Sequence, residues 1–240
     1  MSGHSKWAKI KRQKAVSDAK KGQIFSKLVR EITIAAKSGG DPGMNFKLRL
    51  ALERARDAGM LKDAMERAIQ RGTGESKEGQ LEDMVYEGYG PAGTAFLIQA
   101  ATDNRNRTTA ELRHLFSQYG GNLAGHGSVA FLFESRGQIL AAKGENKNLE
   151  EVSLLAIDLG AEDVKVSEEG LEIYTVPVDL EKIKTALREK GAKIASYEVA
   201  SVPKNLIEPT DAKTSEQILK LLEALEANED VVTVNTNANL

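Results

Sequence analysis

Residues 137–199 read GQILAAKGENKNLEEVSLLAIDLGAEDVKVSEEGLEIYTVPVDLEKIKTALREKGAKIASYEV. Short apolar runs at 139–142, 163–167, 171–176 and 194–199 have the length of strands, and the stretches 149–159 and 179–190 repeat apolar residues at helical spacing. Strand, helix, strand, strand, helix, strand is the split β-α-β-β-α-β order of a ferredoxin-like domain. Working outward, strand 94–100, helix 107–119 and strands near 123 and at 129–133 precede this unit, and helix 213–227 and strand 230–235 follow it. The flanking elements predict a second ferredoxin-like unit into which the first is inserted; one larger mixed sheet is the alternative.

Toward the N-terminus the period changes to that of helices. Ile24, Phe25, Leu28, Val29, Ile32 and Ala36 form one apolar stripe. Gly39-Gly40 stops that helix, and Asp41-Pro42-Gly43 makes a turn. Asn45 is placed to cap a second helix carrying Phe46, Leu48, Leu52 and Ala55. Gly59 ends it, and a third helix runs from Lys62 to Arg71, before Gly72. Residues 5–21 permit a helix but hold only Trp7, Ile10 and Val16 as large apolar residues, which predicts a loosely docked arm. The fold class is therefore α+β in three domains: a basic helical domain with an N-terminal arm over 1–80, a discontinuous α/β domain over 81–135 plus 205–240, and an inserted ferredoxin-like domain over 136–204.

Composition narrows the function. The chain has 240 residues, 41% of them hydrophobic and 28% charged, the balance of a soluble globular protein. No stretch approaches the roughly 20 apolar residues of a membrane span, and the first residues lack the apolar core of a secretory signal. The absence of cysteine excludes disulfides, thiol nucleophiles and Cys-based metal sites. His4, His114 and His126 lie far apart, so no metal or cofactor is expected, and His4 reads as a turn or capping residue. There is no G-x-S-x-G, and acids such as Glu150, Glu151, Glu181, Glu223 and Glu226 fall on helix surfaces. Residues 86–94 have Thr94 where a phosphate-binding loop needs Lys, and they read as a tight loop between strands. The glycines of 72–77 do not lie between a strand and a helix. These readings predict a protein that is not an enzyme.

The net charge of −2 conceals a strong asymmetry. Residues 1–80 hold 18 Lys and Arg against 9 Asp and Glu, a net of +9, whereas residues 81–240 hold 15 against 26, a net of −11. A basic end on an otherwise acidic chain points to a polyanion, usually nucleic acid; a solvated surface or solubility tail is the dull alternative. Lys6, Trp7, Lys9, Lys11, Arg12 and Lys14 interleave cations with one aromatic, and Lys20, Lys21, Lys27 and Arg30 continue the series, helical spacing placing Lys20, Lys27 and Arg30 opposite the apolar stripe. Trp7 either stacks on a base or anchors the arm to a neighbouring domain. Between strand and helix, the loop Thr102-Asp103-Asn104-Arg105-Asn106-Arg107-Thr108 offers helix amides with Arg105 and Arg107 as an anion site. Its alternative is local: Asp103 or Thr108 caps the helix and the arginines pair with acids.

Several blocks in order resemble the YebC/PmpR family, which includes the mitochondrial translational activators of cytochrome c oxidase. They are Ser2-Gly3-His4-Ser5-Lys6-Trp7-Ala8, Asp18-Ala19-Lys20-Lys21-Gly22, Gly39-Gly40-Asp41-Pro42 with Lys47-Leu48-Arg49-Leu50, Arg71-Gly72-Thr73-Gly74-Glu75, Glu87-Gly88-Tyr89-Gly90-Pro91, the 102–108 loop, and Gly127-Ser128-Val129-Ala130. Leu61 stands where the family usually opens the third helix with proline, and Lys9 where asparagine is common. The resemblance implies a cytoplasmic three-domain protein that binds nucleic acid. Family members are commonly described as DNA-binding transcriptional regulators, and others look like ribosome-associated translation factors that assist synthesis of proline runs. With no presequence before Ser2, a bacterial-type cytosolic form is expected. The expectation is thus a nucleic-acid-binding regulator of gene expression with DNA, ribosomal RNA or the ribosome as partner and no membrane role; a protein-interaction scaffold is the alternative from another class.

Overall fold

The computed structural model describes residue 7 and residues 18–76, 79–146 and 148–240. Among these, residues 18–131 with 209–238 form one compact unit, and residues 132–208 with Trp7 and residues 239–240 form another.

The first unit opens with helices α1 (Asp18–Ala36), α2 (Phe46–Asp57) and α3 (Lys62–Thr73). The stripe of α1 buries Leu28, Ile32, Ala35 and Ala36 against Leu48, Ala51, Leu52 and Ala55 of α2 and Met65 and Ala68 of α3, with Ile24, Phe25 and Val29 at its margin. Asn45 caps α2 as its sequence position predicts: its side-chain oxygen accepts from Leu48 N at 3.1 Å. Its amide also donates to Ala35 O at 2.7 Å and Gly39 O at 2.8 Å, tying the end of α1 to the start of α2. Helix α3 runs two residues beyond Arg71, through Gly72, and ends on Gly74 at φ 83°. Gly72 does not stop the helix because it is the crossing point of α1 and α3. A Cβ there would lie 2.2 Å from Thr33 O and 2.7 Å from Ala36 Cβ.

The sheet of this unit joins β1 (Glu82–Tyr89), β2 (Ala95–Thr102), β3 (Asn122–Ala124) and β8 (Val231–Thr236) in the order β3-β1-β2-β8, all neighbours antiparallel. Helices α4 (Arg105–Gln118) and α7 (Ala212–Ala227) complete it. The structure corrects two elements of the sequence reading. Residues 82–89 are a strand, so the loop expected over 86–94 shrinks to the turn around Pro91–Gly93. Residues 129–133 do not form a strand of this sheet: Ala130–Leu132 is a 3-10 turn. The cause is Glu87, whose carboxylate takes the amides of Gly127, Val129 and Ala130 at 2.6, 2.6 and 2.8 Å, leaving them unable to join a ladder. Connectivity in this sheet is ββαβ followed, after the insertion, by αβ, rather than β-α-β-β-α-β.

The second unit has the expected order. Strands β4 (Phe133–Ala142), β5 (Asp163–Val166), β6 (Gly170–Thr175) and β7 (Ser196–Pro203) form a sheet β5-β6-β4-β7, again with all neighbours antiparallel, and α5 (Leu149–Asp158) and α6 (Leu180–Glu189) make the crossovers. Strand β4 begins six residues earlier than its apolar run, and Phe133 pairs with Pro203. Gly137 lies within it because a Cβ would meet Thr175 Oγ1 at 2.2 Å and Leu180 Cβ at 2.9 Å. The chain is thus an α+β protein with a helical N-terminal region and two four-stranded sheets. No helix among the described residues is long and apolar enough to cross a membrane.

Candidate nucleic-acid interface

Of the cations singled out in the sequence, Lys6, Lys9, Lys11, Arg12 and Lys14 lie outside the described residues, as does the side chain of Lys20. Lys21 is exposed near the start of α1. One helical turn and more further on, the polar face of α1 meets protein. Lys27 donates to the Glu226 carbonyl in the last turn of α7, where cations complement a helix C-terminus. Arg30 Nε donates to Ala101 O at 3.0 Å, and its Nη2 lies 3.0 Å from Asp230 Oδ1.

Asp230 is the hub of this region, with only 4% of its side chain exposed. Its second oxygen accepts from Arg107 Nη2 and Thr108 Oγ1, both at 2.7 Å, and from Thr102 Oγ1 at 3.2 Å. Burial alone would raise its pKa; the hydrogen bonds from Arg107 and Thr108 and the charges of Arg107 and Arg30 outweigh burial and hold it below the ordinary carboxylate range. The same contact raises the already high pKa of Arg107. A buried carboxylate needs countercharge, and Arg30 and Arg107 supply it.

The 102–108 loop therefore divides its arginines. Arg107 also reaches Asp103 at 3.0 Å, so it makes the acid pairs that the local alternative expects, with its side chain 44% exposed. Arg30 likewise pairs with an acid, Asp230, whereas Lys27 meets a backbone carbonyl. The cap is neither Asp103 nor Thr108 but Asn104, whose side chain accepts from Arg107 N at 3.1 Å. Arg105 is exposed on the first turn of α4.

Sequence reasoning passed over two further exposed cations, Lys37 at the end of α1 and Lys47 in the first turn of α2. Both lie near Asp83: desolvation raises its pKa, and these two charges partly offset the shift. The signal was the short 39–45 turn, which brings the end of one helix to the start of the next.

Trp7 sits where the anchor alternative places it. Only 2% of it is exposed, and its ring packs on Leu140 with Ala142 and Ala195 beside it. In this arrangement its face is not available to a base.

Comparison with known proteins gives this geometry a family. The model described as the TACO1/YebC protein N-terminal domain matches residues 5–75, and that of the TACO1/YebC second and third domain matches residues 81–238. A protein of Dictyoglomus turgidum named "Probable transcriptional regulatory protein" is 48% identical over 100% of this chain and 96% of its own length. One of the same name from Halothermothrix orenii is 47% identical over 100% of this chain and 96% of its own. The crystal structure of a conserved hypothetical protein from Aquifex aeolicus superimposes with a TM-score of 0.86 at 43% identity, covering 94% of this chain and 93% of that one. Matched along both its helical and its sheet regions, the chain belongs to the YebC/PmpR family, also described as TACO1/YebC.

Proposed function

We propose that this protein is a nucleic-acid-binding regulator of gene expression that acts on DNA through its basic N-terminal region, without enzymatic activity and in the cytoplasm. The observation that carries the reading is the charge asymmetry, +9 over residues 1–80 against −11 over the rest. The shared name of its relatives, probable transcriptional regulatory proteins, supports the regulatory half. Lys27, Arg30 and Arg107 have internal partners; the cations proposed to contact phosphate are Lys6, Lys9, Lys11, Arg12, Lys14, Lys20, Lys21 and Arg105, with Lys37 and Lys47 as additions.

Salt tests it. Binding to duplex DNA should weaken with a log–log slope of about −0.9 per phosphate neutralised, and binding to single-stranded RNA with about −0.7. Replacing Lys9, Lys11, Arg12 and Lys14 with Ala should lower affinity and make the slope shallower by up to about four phosphates' worth. Tighter binding to RNA than to DNA at equal salt would move the assignment to translation. Affinity insensitive to salt would favour the scaffold and sink the nucleic-acid reading.

A further inference from the structure

We propose that the second unit carries a socket for an indole borne on a basic peptide, that its resident ligand is this chain's own Trp7, and that a polyanion competes with the socket for the arm. The identity of that competitor rests on the nucleic-acid reading above; the socket does not.

Three backbone segments make the socket. Leu140 and Ala142 come from β4, Gly170 opens β6, and Ala195 precedes β7. The walls are joined by hydrogen bonds from Ala195 N to Leu140 O and from Lys143 N to Glu169 O, both 2.8 Å. Small residues create the space: a Cβ on Gly170 would lie 3.0 Å from Trp7 Cη2. A flat aromatic therefore fills a cleft that Ala and Gly leave open, which is how a preformed apolar site accepts a ring.

Two features make the docked state releasable. Trp7 Nε1 is buried without a hydrogen-bond partner among the described residues, so the water it gave up on docking is not replaced. The arm and the unit that holds Trp7 also carry opposite charge. Residues 1–15 hold five Lys and Arg and no acid, whereas residues 132–208 hold 10 Lys and Arg against 15 Asp and Glu. Phosphates that attract the arm's cations thus pull against both the weak seat and the charge that steers the arm to it.

Trp7 is the single tryptophan of the chain, so intrinsic fluorescence reads its environment directly. In the full-length protein at low salt the emission should be blue-shifted and shielded from acrylamide, and rising salt should move it toward that of a solvated indole. Adding a duplex DNA oligonucleotide should shift the emission or expose it to quencher in step with binding, followed separately by anisotropy of a labelled oligonucleotide. Ala195→Leu, which fills the socket, should give a solvated emission in the free protein. Its affinity for DNA should rise by up to about tenfold, the gain expected if roughly nine molecules in ten are docked. A solvated emission from the unmodified protein at low salt would overturn the socket. DNA bound with emission and quenching unchanged would overturn the competition and leave the nucleic-acid reading standing. Absence of anisotropy change with DNA and with an RNA hairpin would overturn that reading and the competition together, while the emission of Ala195→Leu still decides the socket.

Discussion

Gly72 and Leu61 show how one position can serve packing or chain entropy without any partner visible in sequence. Gly72 lies in the last turn of α3, where Ala would ordinarily gain up to about 1 kcal/mol of helix propensity over Gly. Here a methyl group would meet Thr33 O at 2.2 Å, and neither backbone can retreat without breaking the α1–α3 contact. We expect Gly72→Ala to lose about 1–3 kcal/mol in urea denaturation, overpacking outweighing propensity. Leu61 behaves oppositely. It is 78% exposed and precedes α3 with φ −68° and no side-chain cap, and its amide donates to no partner among the described residues. Proline has that φ built in, so Leu61→Pro should raise stability by about 0.4–1 kcal/mol by restricting the unfolded chain. A fall in the urea midpoint would show that Met60, the residue before it, resists the restriction proline imposes.

At the scale of elements, Glu87 decides where a strand ends and a turn begins. Its buried carboxylate binds three amides of the 127–130 segment, and His126 Nδ1 lies 3.4 Å away. Burial pushes its pKa up, but the hydrogen bonds from Val129, Gly127 and Ala130 prevail and hold it below the ordinary value of 4.5. A lowered folded pKa means stability that is present above the unfolded value and lost as pH falls through the folded one. Glu87→Gln should therefore cost about 1–3 kcal/mol at neutral pH, where one amide oxygen replaces two charged ones, and the gap to the unmodified protein should narrow below about pH 4.5. A gap that stays constant down to acid pH would show that shape rather than charge holds the turn. The same residue explains what the sequence concealed. SVAFLF over 128–133 has the apolar content of a strand, yet the amides of Val129 and Ala130 are spent on a carboxylate 42 and 43 residues earlier. Strand β1, EDMVYEGY, carries no alternation because Glu87 is spent on that turn and Gly88 makes room for Phe116, whose ring would lie 2.5 Å from a Cβ. In the second unit the order of strands and helices could be read from their periods, although the Asn146 side chain bonds both backbone groups of Lys193 just before β7. The cap at Asn45 was legible for a related reason: its bond to Leu48 is local, and sequence spacing encodes local bonds well.

Over the whole molecule, the cations singled out in the sequence include two bound to one buried carboxylate, Arg30 and Arg107, and others that the proposed function assigns to phosphate. Counting residues could not separate them, since Arg30 finds its countercharge 200 residues away at Asp230 and Arg107 finds it 123 residues away. Once a buried carboxylate claims a guanidinium, phosphate can recruit it only by leaving that carboxylate unpaired in a desolvated place. This sorting predicts opposite phenotypes for Arg30 and Arg105. Arg30→Ala, which also strips the Ala101 carbonyl of a donor, should lower unfolding stability by about 1–3 kcal/mol. Its effect on the salt slope of DNA binding should be small wherever the variant remains folded. Arg105→Ala should leave the thermal midpoint in place and make the slope shallower by about 0.9 if this arginine neutralises one phosphate. Melting and salt-dependent anisotropy on the same two variants check both statements. If Arg30→Ala instead reduced the slope while keeping its melting point, Asp230 would have to be released on binding, and the hub would belong to the nucleic-acid surface rather than to the scaffold beneath it.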